Sequence, residues 1–291
     1  MRGSARIATA LALALLVPAA GRAQQGDGPV VRARRVRADA QLKVFYDAGS
    51  VRFVGWDKDS LVIRGRVRAG QFYLGGDSSS LKFGVEDHNG GTAVTSADLT
   101  VYLPRGARVA ARTVSASISA RDVSGWFYTV SGDIALAGTA TSLDALSMSG
   151  AIELSAVTPW VRARTGDGRL VVAGAPEDVD ASTITGPLVI ATSSVKRGQL
   201  ATVRGDIRYT ASPARGAVLD MSTHSGAIEL NLPRTASARM TLSSIEGHIE
   251  AGGVTSMPTA AGNRPMTFDV GDGASRVTAR TYKGVIRVVA R

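Results

Sequence analysis

The chain has 291 residues, 34 basic against 24 acidic side chains, and no cysteine. That length suits one large domain or two small ones, and without cysteine no disulfide can support the fold, so burial and backbone hydrogen bonding must hold it together. Hydrophobic residues make up 44% but aromatics only 5%, so Val, Leu, Ile and Ala build the expected core; the 33 glycines show no tripeptide period, which excludes collagen.

The first stretch, MRGSARIATALALALLVPAAGRAQQ, reads as an export signal. Arg2 and Arg6 give a positive start, the apolar run from Ile7 to Val17 is too short to span a bilayer permanently, and Pro18 breaks it. Small residues at Gly21 and Ala23 place the expected cut after Ala23, making residues 1–23 a signal peptide. No cysteine follows to take a lipid anchor, and no later segment approaches the ~20 apolar residues of a membrane helix. The expected location is periplasmic, extracellular or on the cell surface. Loss of three arginines with the signal leaves 31 basic residues against 24 acidic and a net charge of +7. That bias points to anionic surroundings without selecting among them.

Residues 24–100 are expected to form a β cap. Strand candidates are Leu42–Tyr46, Val51–Val54, Leu61–Val67, Phe72–Leu74 and Leu81–Val85, with turns at Gly75–Ser80 and Asp87–Gly91. Residues 101–291 continue without a break into a repeat. The hexapeptide SGAIEL occurs at Ser149–Leu154 and again at Ser225–Leu230. Between and around the two copies a pattern recurs: a small residue, any residue, an aliphatic, any residue, then an apolar one. It opens at Ala116, Gly132, Gly150, Gly168, Gly186, Gly205, Gly226 and Gly247, at intervals of 16, 18, 18, 18, 19, 21 and 21, and again at Gly284. The last interval, 37, holds either a degenerate repeat or an insertion around Met257–Pro265.

Alternation puts the small and aliphatic residues of each rung on one face and the two intervening residues on a wet face. Glycine at the start of each rung is expected to serve a turn with φ > 0. Nineteen residues cover ~60 Å when extended, so each rung holds two short strands. Partner strands are visible at Ser142–Met148, Val161–Thr165, Val179–Thr183, Val218–Ser222 and Ala238–Leu242. The near-constant spacing favours an all-β solenoid-like stack of 18–21-residue repeats over the alternative, a β-sandwich or meander.

Repeated Ser-Gly-Asp-Ile and Ser-Gly-Ala-Ile rungs, the run DLTVYLPRGA at Asp98–Ala107 and RTVSA at Arg112–Ala116 resemble the bacterial putative-adhesin β-strand-repeat family, a domain of unknown function. The resemblance covers roughly Val36 to Arg291. It implies an exported all-β repeat protein and supplies no catalytic residues. Ala116 departs from the family's glycine, and the interval before Gly284 departs from its beat.

Candidate chemistry is sparse. Asp133, Asp167 and Asp206 recur just after glycines, and Glu153, Glu229 and Glu250 occupy the next outward position. Stacking in sequence order would bring Glu229 and Glu250 to neighbouring rungs, the pairing a glycan-active hydrolase or lyase on a β-solenoid would need. The same column holds Arg169, Val189 and Arg208, which reads instead as a solvated face. His88, His224 and His248 lack zinc-site spacing, though His224 and His248 would fall on consecutive rungs. No phosphate-binding loop and no nucleophile elbow appears. The expectation is therefore no catalytic, cofactor or metal site. Arg64, Arg66 and Arg68 alternate and share one strand face, and Arg32, Arg34, Arg35 and Arg37 crowd the start of the mature chain. No aromatic platform accompanies them in sequence, which argues against nucleic acid. The reading is a non-enzymatic envelope-binding or structural protein whose partner is a cell-surface polysaccharide or an envelope protein, with Arg64, Arg66 and Arg68 as the candidate anionic contact.

Overall fold

The computed structural model describes residues 28–87, 93–192, 194–252 and 265–290. The expected signal segment and its expected cut, His88, and most of the segment 257–265 lie outside the described residues. Among those described, every regular element is a strand, so the chain is all-β. Among the described residues no helix is long and apolar enough to cross a membrane.

The first seven strands are β1 (Gly28–Arg35), β2 (Gln41–Tyr46), β3 (Ala48–Trp56), β4 (Ser60–Ala69), β5 (Gln71–Gly76), β6 (Ser80–Glu86) and β7 (Ser96–Pro104). The repeat region follows with β8 (Arg108–Thr113), β9 (Ser117–Arg121), β10 (Ser124–Thr129), β11 (Ile134–Thr139), β12 (Leu143–Ser147), β13 (Ile152–Thr165), β14 (Leu170–Thr183), β15 (Leu188–Thr192), β16 (Ser194–Ala201), β17 (Ile207–Thr210) and β18 (Ser212–Thr223). The last six are β19 (Ile228–Leu232), β20 (Ala238–Ser244), β21 (Ile249–Gly252), β22 (Met266–Val270), β23 (Ser275–Thr281) and β24 (Ile286–Ala290).

Pairing sorts them into two ladders. Ladder A runs β1–β4–β7–β3–β9–β11–β13–β14–β15–β17–β19–β24–β21. Ladder B runs β5–β6–β2–β8–β10–β12–β13–β14–β16–β18–β23–β20–β22. Four pairs near the ends are antiparallel, β1–β4, β4–β7, β5–β6 and β20–β22; the rest are parallel. The 14-residue strands β13 and β14 serve both ladders, pairing with A through their first halves and B through their second.

The repeat sequence sets this register. Ile134, Ile152, Leu170, Leu188, Ile207, Ile228 and Ile286 stand directly opposite one another along ladder A, and all are buried. Each such side chain gains about 1.5–3 kcal/mol from leaving water. A one-residue slip would turn all of them outward at once, which fixes the pairing. Phe53 of ladder A meets Phe127 of ladder B at 6.1 Å between ring centroids, so the two inward faces share one core.

A hydroxyl sits at the turn from B to A in each rung. Ser147 Oγ accepts the Gly150 N–H at 2.9 Å and donates to the Gly132 carbonyl of the rung before at 3.2 Å. Thr165 repeats this with Gly168 (3.2 Å) and Gly150 (2.9 Å), and Thr281 with Gly284 (2.9 Å) and Gly226 (3.2 Å). Buried backbone groups at the turn are thereby satisfied rung by rung.

Two sequence expectations change here. The repeat glycines do not have positive φ; that conformation falls elsewhere, at Gly49, Gly76 and Gly138 among others. Their need is for space. A Cβ on Gly150, Gly168, Gly186, Gly205 or Gly226 would lie 1.9–2.0 Å from the carbonyl oxygen of the glycine one rung before. Rung order also departs from chain order at both ends. β2 and β3 lie between the β6/β7 and β8/β9 rungs. The final strands β23 and β24 lie between β18/β19 and β20/β21. The 37-residue interval thus carries a cap strand, β22, and a return path into the stack.

Candidate functional site

β4 buries Leu61, Ile63 and Val67 and turns Arg64, Arg66 and Arg68 to solvent, so the three predicted arginines share a face. Arg68 is engaged by Asp98 at 2.5 Å, and Asp98 also accepts the Ser50 hydroxyl at 2.8 Å. Arg64 and Arg66 form no ion pair among the described residues. Arg64 stands opposite Thr100 of β7, and Thr100 stands opposite Arg52 of β3. The same row runs on through Ser119, Ala135, Glu153 and Val171.

Small side chains hollow out this part of the face. Ser119, Ala135, Ala137, Ser155 and Ala173 floor a shallow concavity of about 540 Å³, with Arg52, Arg121, Arg169 and Glu153 at its margin. None of those four charged groups closes an ion pair among the described residues. The outer face of ladder A near its N-terminal end therefore carries Arg52, Arg121 and Arg169 along a hollow that contains one carboxylate, Glu153, with Arg64 two strands from Arg52 and Arg66 opposite Asp98. Sequence reading singled out Arg64 and Arg66 as a contact, placed Arg169 only on a solvated face, and left Arg52 and Arg121 unremarked. Arg52 was visible in principle: Val51-Arg52-Phe53 fits the rung pattern, with Arg52 in the column of Glu153.

Further along the row the charges neutralise one another. Arg208 pairs with Glu229 at 3.0 Å, Arg287 with Glu250 at 2.7 Å, and His248 with Glu250 at 2.9 Å. Glu229 and Glu250 are not on neighbouring strands, because β24 places Arg287 between them. Both carboxylates are held below their ordinary pKa, Glu229 by Asn231 and then Arg208, Glu250 by Arg287 and His248. A glycan-cleaving pair needs one carboxyl raised beside one ionised, and here both are lowered.

The recurring aspartates are structural. Asp133 accepts the Ala151 N–H and Asp206 the Ala227 N–H, each at 2.8 Å, and Asp167 accepts the Thr185 hydroxyl at 2.8 Å. Asp144, on ladder B, has its pKa raised by burial, with Arg162 acting against this from 3.8 Å. His224 stacks on Tyr282 at 5.0 Å, since β23 separates it from the rung of His248. Among the described residues no three metal-capable side chains come together.

No family model matches the chain, and no curated protein matches it. Solved structures similar to it include a putative adhesin from Bacteroides fragilis, 10% identical with a TM-score of 0.46 over 90% of this chain and 97% of that one. A putative lipid binding protein from Parabacteroides distasonis is 13% identical with a TM-score of 0.46 over 90% of this chain and 96% of that one. A putative cell adhesion protein from Clostridium sporogenes is 8% identical with a TM-score of 0.26 over 91% of this chain and all of that one.

Proposed function

We propose that the chain is an exported, non-enzymatic binding or structural protein of the cell envelope, a β-solenoid with an N-terminal β cap, that holds extended anionic glycan on the outer face of ladder A. The observation that supports this best is the register of Arg64 with Arg52 across Thr100, beside the concavity margined by Arg121 and Arg169. A shallow hollow with a small-residue floor suits a polymer lying along a surface better than a small substrate enclosed in a cleft. Glu153 as the one carboxylate lining the hollow counts against the alternative of a glycan-active hydrolase or lyase, which needs two. Arg68 contributes less than the sequence suggests, because Asp98 already neutralises it.

Exposed cationic contacts weaken as salt screens them, with a Debye length of ~8 Å near physiological ionic strength. The expected behaviour is retention on an immobilised acidic polysaccharide at low salt and release at high salt. The Arg52→Ser/Arg64→Ser/Arg66→Ser variant should elute earlier at an unchanged melting temperature. Unchanged elution of that variant would remove this face from the function.

A further inference from the structure

Ladder B carries a second candidate surface, on the side of the molecule away from the arginines. Aromatic side chains are scarce in this chain, with six Phe, six Tyr and three Trp in total. Four of them stand together on the outer face of neighbouring strands. One row runs Tyr73, Gly84, Phe45, Arg112 and Tyr128 across β5, β6, β2, β8 and β10. The parallel row two residues away runs Lys82, Lys43, Ala110 and Trp126. Phe45 and Trp126 are each 38% exposed. These positions point away from the core, and exposed rings do nothing for its packing.

The rings and cations are interleaved. The Lys82 ammonium lies 5.3 Å from the Tyr73 ring centre and 5.5 Å from that of Phe45. The Arg112 guanidinium lies 5.5 Å from the Tyr128 ring, and Trp126 stacks on Tyr128 at 5.7 Å with 6° between planes. Lys43, Lys82 and Arg112 form no ion pair among the described residues. Asp144, opposite Trp126 on the next strand, faces Arg162. Gly84 and Ala110 keep the spaces between rings low. A hollow of about 140 Å³ is lined by Phe45, Arg112, Tyr128, Val114 and Val130, and by Asp47, whose carboxylate accepts the Thr95 N–H and hydroxyl.

Strands in a sheet are ~4.8 Å apart, so Tyr73, Phe45 and Tyr128 recur every second strand, ~9.6 Å apart. That is about the length of a disaccharide unit in an extended polymer of pyranose rings. A pyranose ring presents C–H bonds on one face, which are attracted to the negative face of an aromatic ring. Cations between the rings would meet carboxylates carried on the sugars. We propose that the outer face of ladder B, centred on Phe45, Tyr128 and Arg112, is a stacking platform for an acidic polysaccharide of uronic-acid type. It is separate from the arginine face of ladder A and does not depend on it.

The test uses the whole mature chain and oligogalacturonates of defined length. A neutral cello-oligosaccharide, anionic vesicles and single-stranded DNA serve as rival ligands. Binding of oligogalacturonate is expected to change tryptophan emission, and Trp126→Phe should abolish that change. Tyr128→Ala should weaken binding on the order of tenfold. Lys82→Ser, an exposed change that keeps the test open if Tyr128→Ala melts early, should weaken binding and flatten its salt dependence. The Arg52→Ser/Arg64→Ser/Arg66→Ser variant should keep the Trp126 response, so the two faces are tested apart. The proposal is overturned if Tyr128→Ala and Lys82→Ser both bind as wild type. Equal binding of the neutral oligosaccharide overturns it too, as does a Trp126 response to vesicles or DNA without one to oligogalacturonate.

Discussion

Two residue types close each rung, and each makes its own prediction. At Gly226 a methyl group would enter the space of the Gly205 carbonyl oxygen, 1.9 Å away. That oxygen belongs to backbone held on both sides and cannot yield. Gly226→Ala is therefore expected to cost about 2–3 kcal/mol in a urea titration, while Gly75→Ala, with nothing within 4 Å of its added Cβ, should fall within about 0.5 kcal/mol of wild type. Thr165→Val keeps the shape of the side chain but strands the Gly168 N–H and the Gly150 carbonyl. It should cost about 1–3 kcal/mol in the same measurement. The positions of these residues were legible in the sequence. Thr129, Ser147, Thr165, Thr183, Thr202 and Thr223 each stand three residues before a repeat glycine. Their meaning was not legible, because a glycine needed for φ > 0 and a glycine needed for close approach look the same on the page. The aliphatic beat is different: it announces burial directly, and Ile152 and Ile228 are both fully buried.

At the scale of the strand, neighbours decide the electrostatics. β24 puts Arg287 between Glu229 and Glu250, and β17 puts Arg208 on the other side of Glu229. Reading the repeats in sequence order set the two glutamates side by side, a repulsive pair. Inserting β24 converts it to an alternating row. Both carboxylates are held below their ordinary pKa. A carboxyl lowered in the folded state adds stability that is fully present above the unfolded value of ~4.3 and is lost as pH falls through the folded value. The melting temperature should therefore drop as pH is taken from about 5 to about 3, and Glu229→Gln should shrink that drop. A Glu229→Gln profile that overlays the wild type would show that the row adds nothing to acid stability. The insertion was not legible, because a 37-residue interval from Gly247 to Gly284 fits a long loop as well as a return path, and no local propensity records which edge a strand will choose. The aromatic strip on ladder B escaped notice for a related reason. Phe45, Tyr73 and Tyr128 are far apart in sequence and meet only through the pairing of β5, β6, β2, β8 and β10.

For the whole molecule, stacked repeats depend chiefly on their nearest neighbours. The chain places β23 and β24 inside the stack and the earlier pair β20 and β21 outside them. β20 and β21 touch the rest of their ladders through β23, β24 and the cap strand β22. A chain ending before Ser275 should keep slow amide exchange in residues 134–192 and lose it in residues 238–252, read by mass spectrometry. Time enters here as well. When the chain is made or exported from its N-terminus, β20 and β21 exist before the strands that separate them from β18 and β19. Until residues 275–290 arrive, the only open edges for them to pair with are ones they must later give up. Seating β23 and β24 between β18/β19 and β20/β21 is thus an insertion that can only follow the synthesis of residues 275–290. A synthetic peptide covering residues 275–291, added to the shortened chain, should slip into the waiting gap and restore slow exchange at 238–252. The seam between β23/β24 and their neighbours is where a copy lacking those two strands would still accept a strand from another chain.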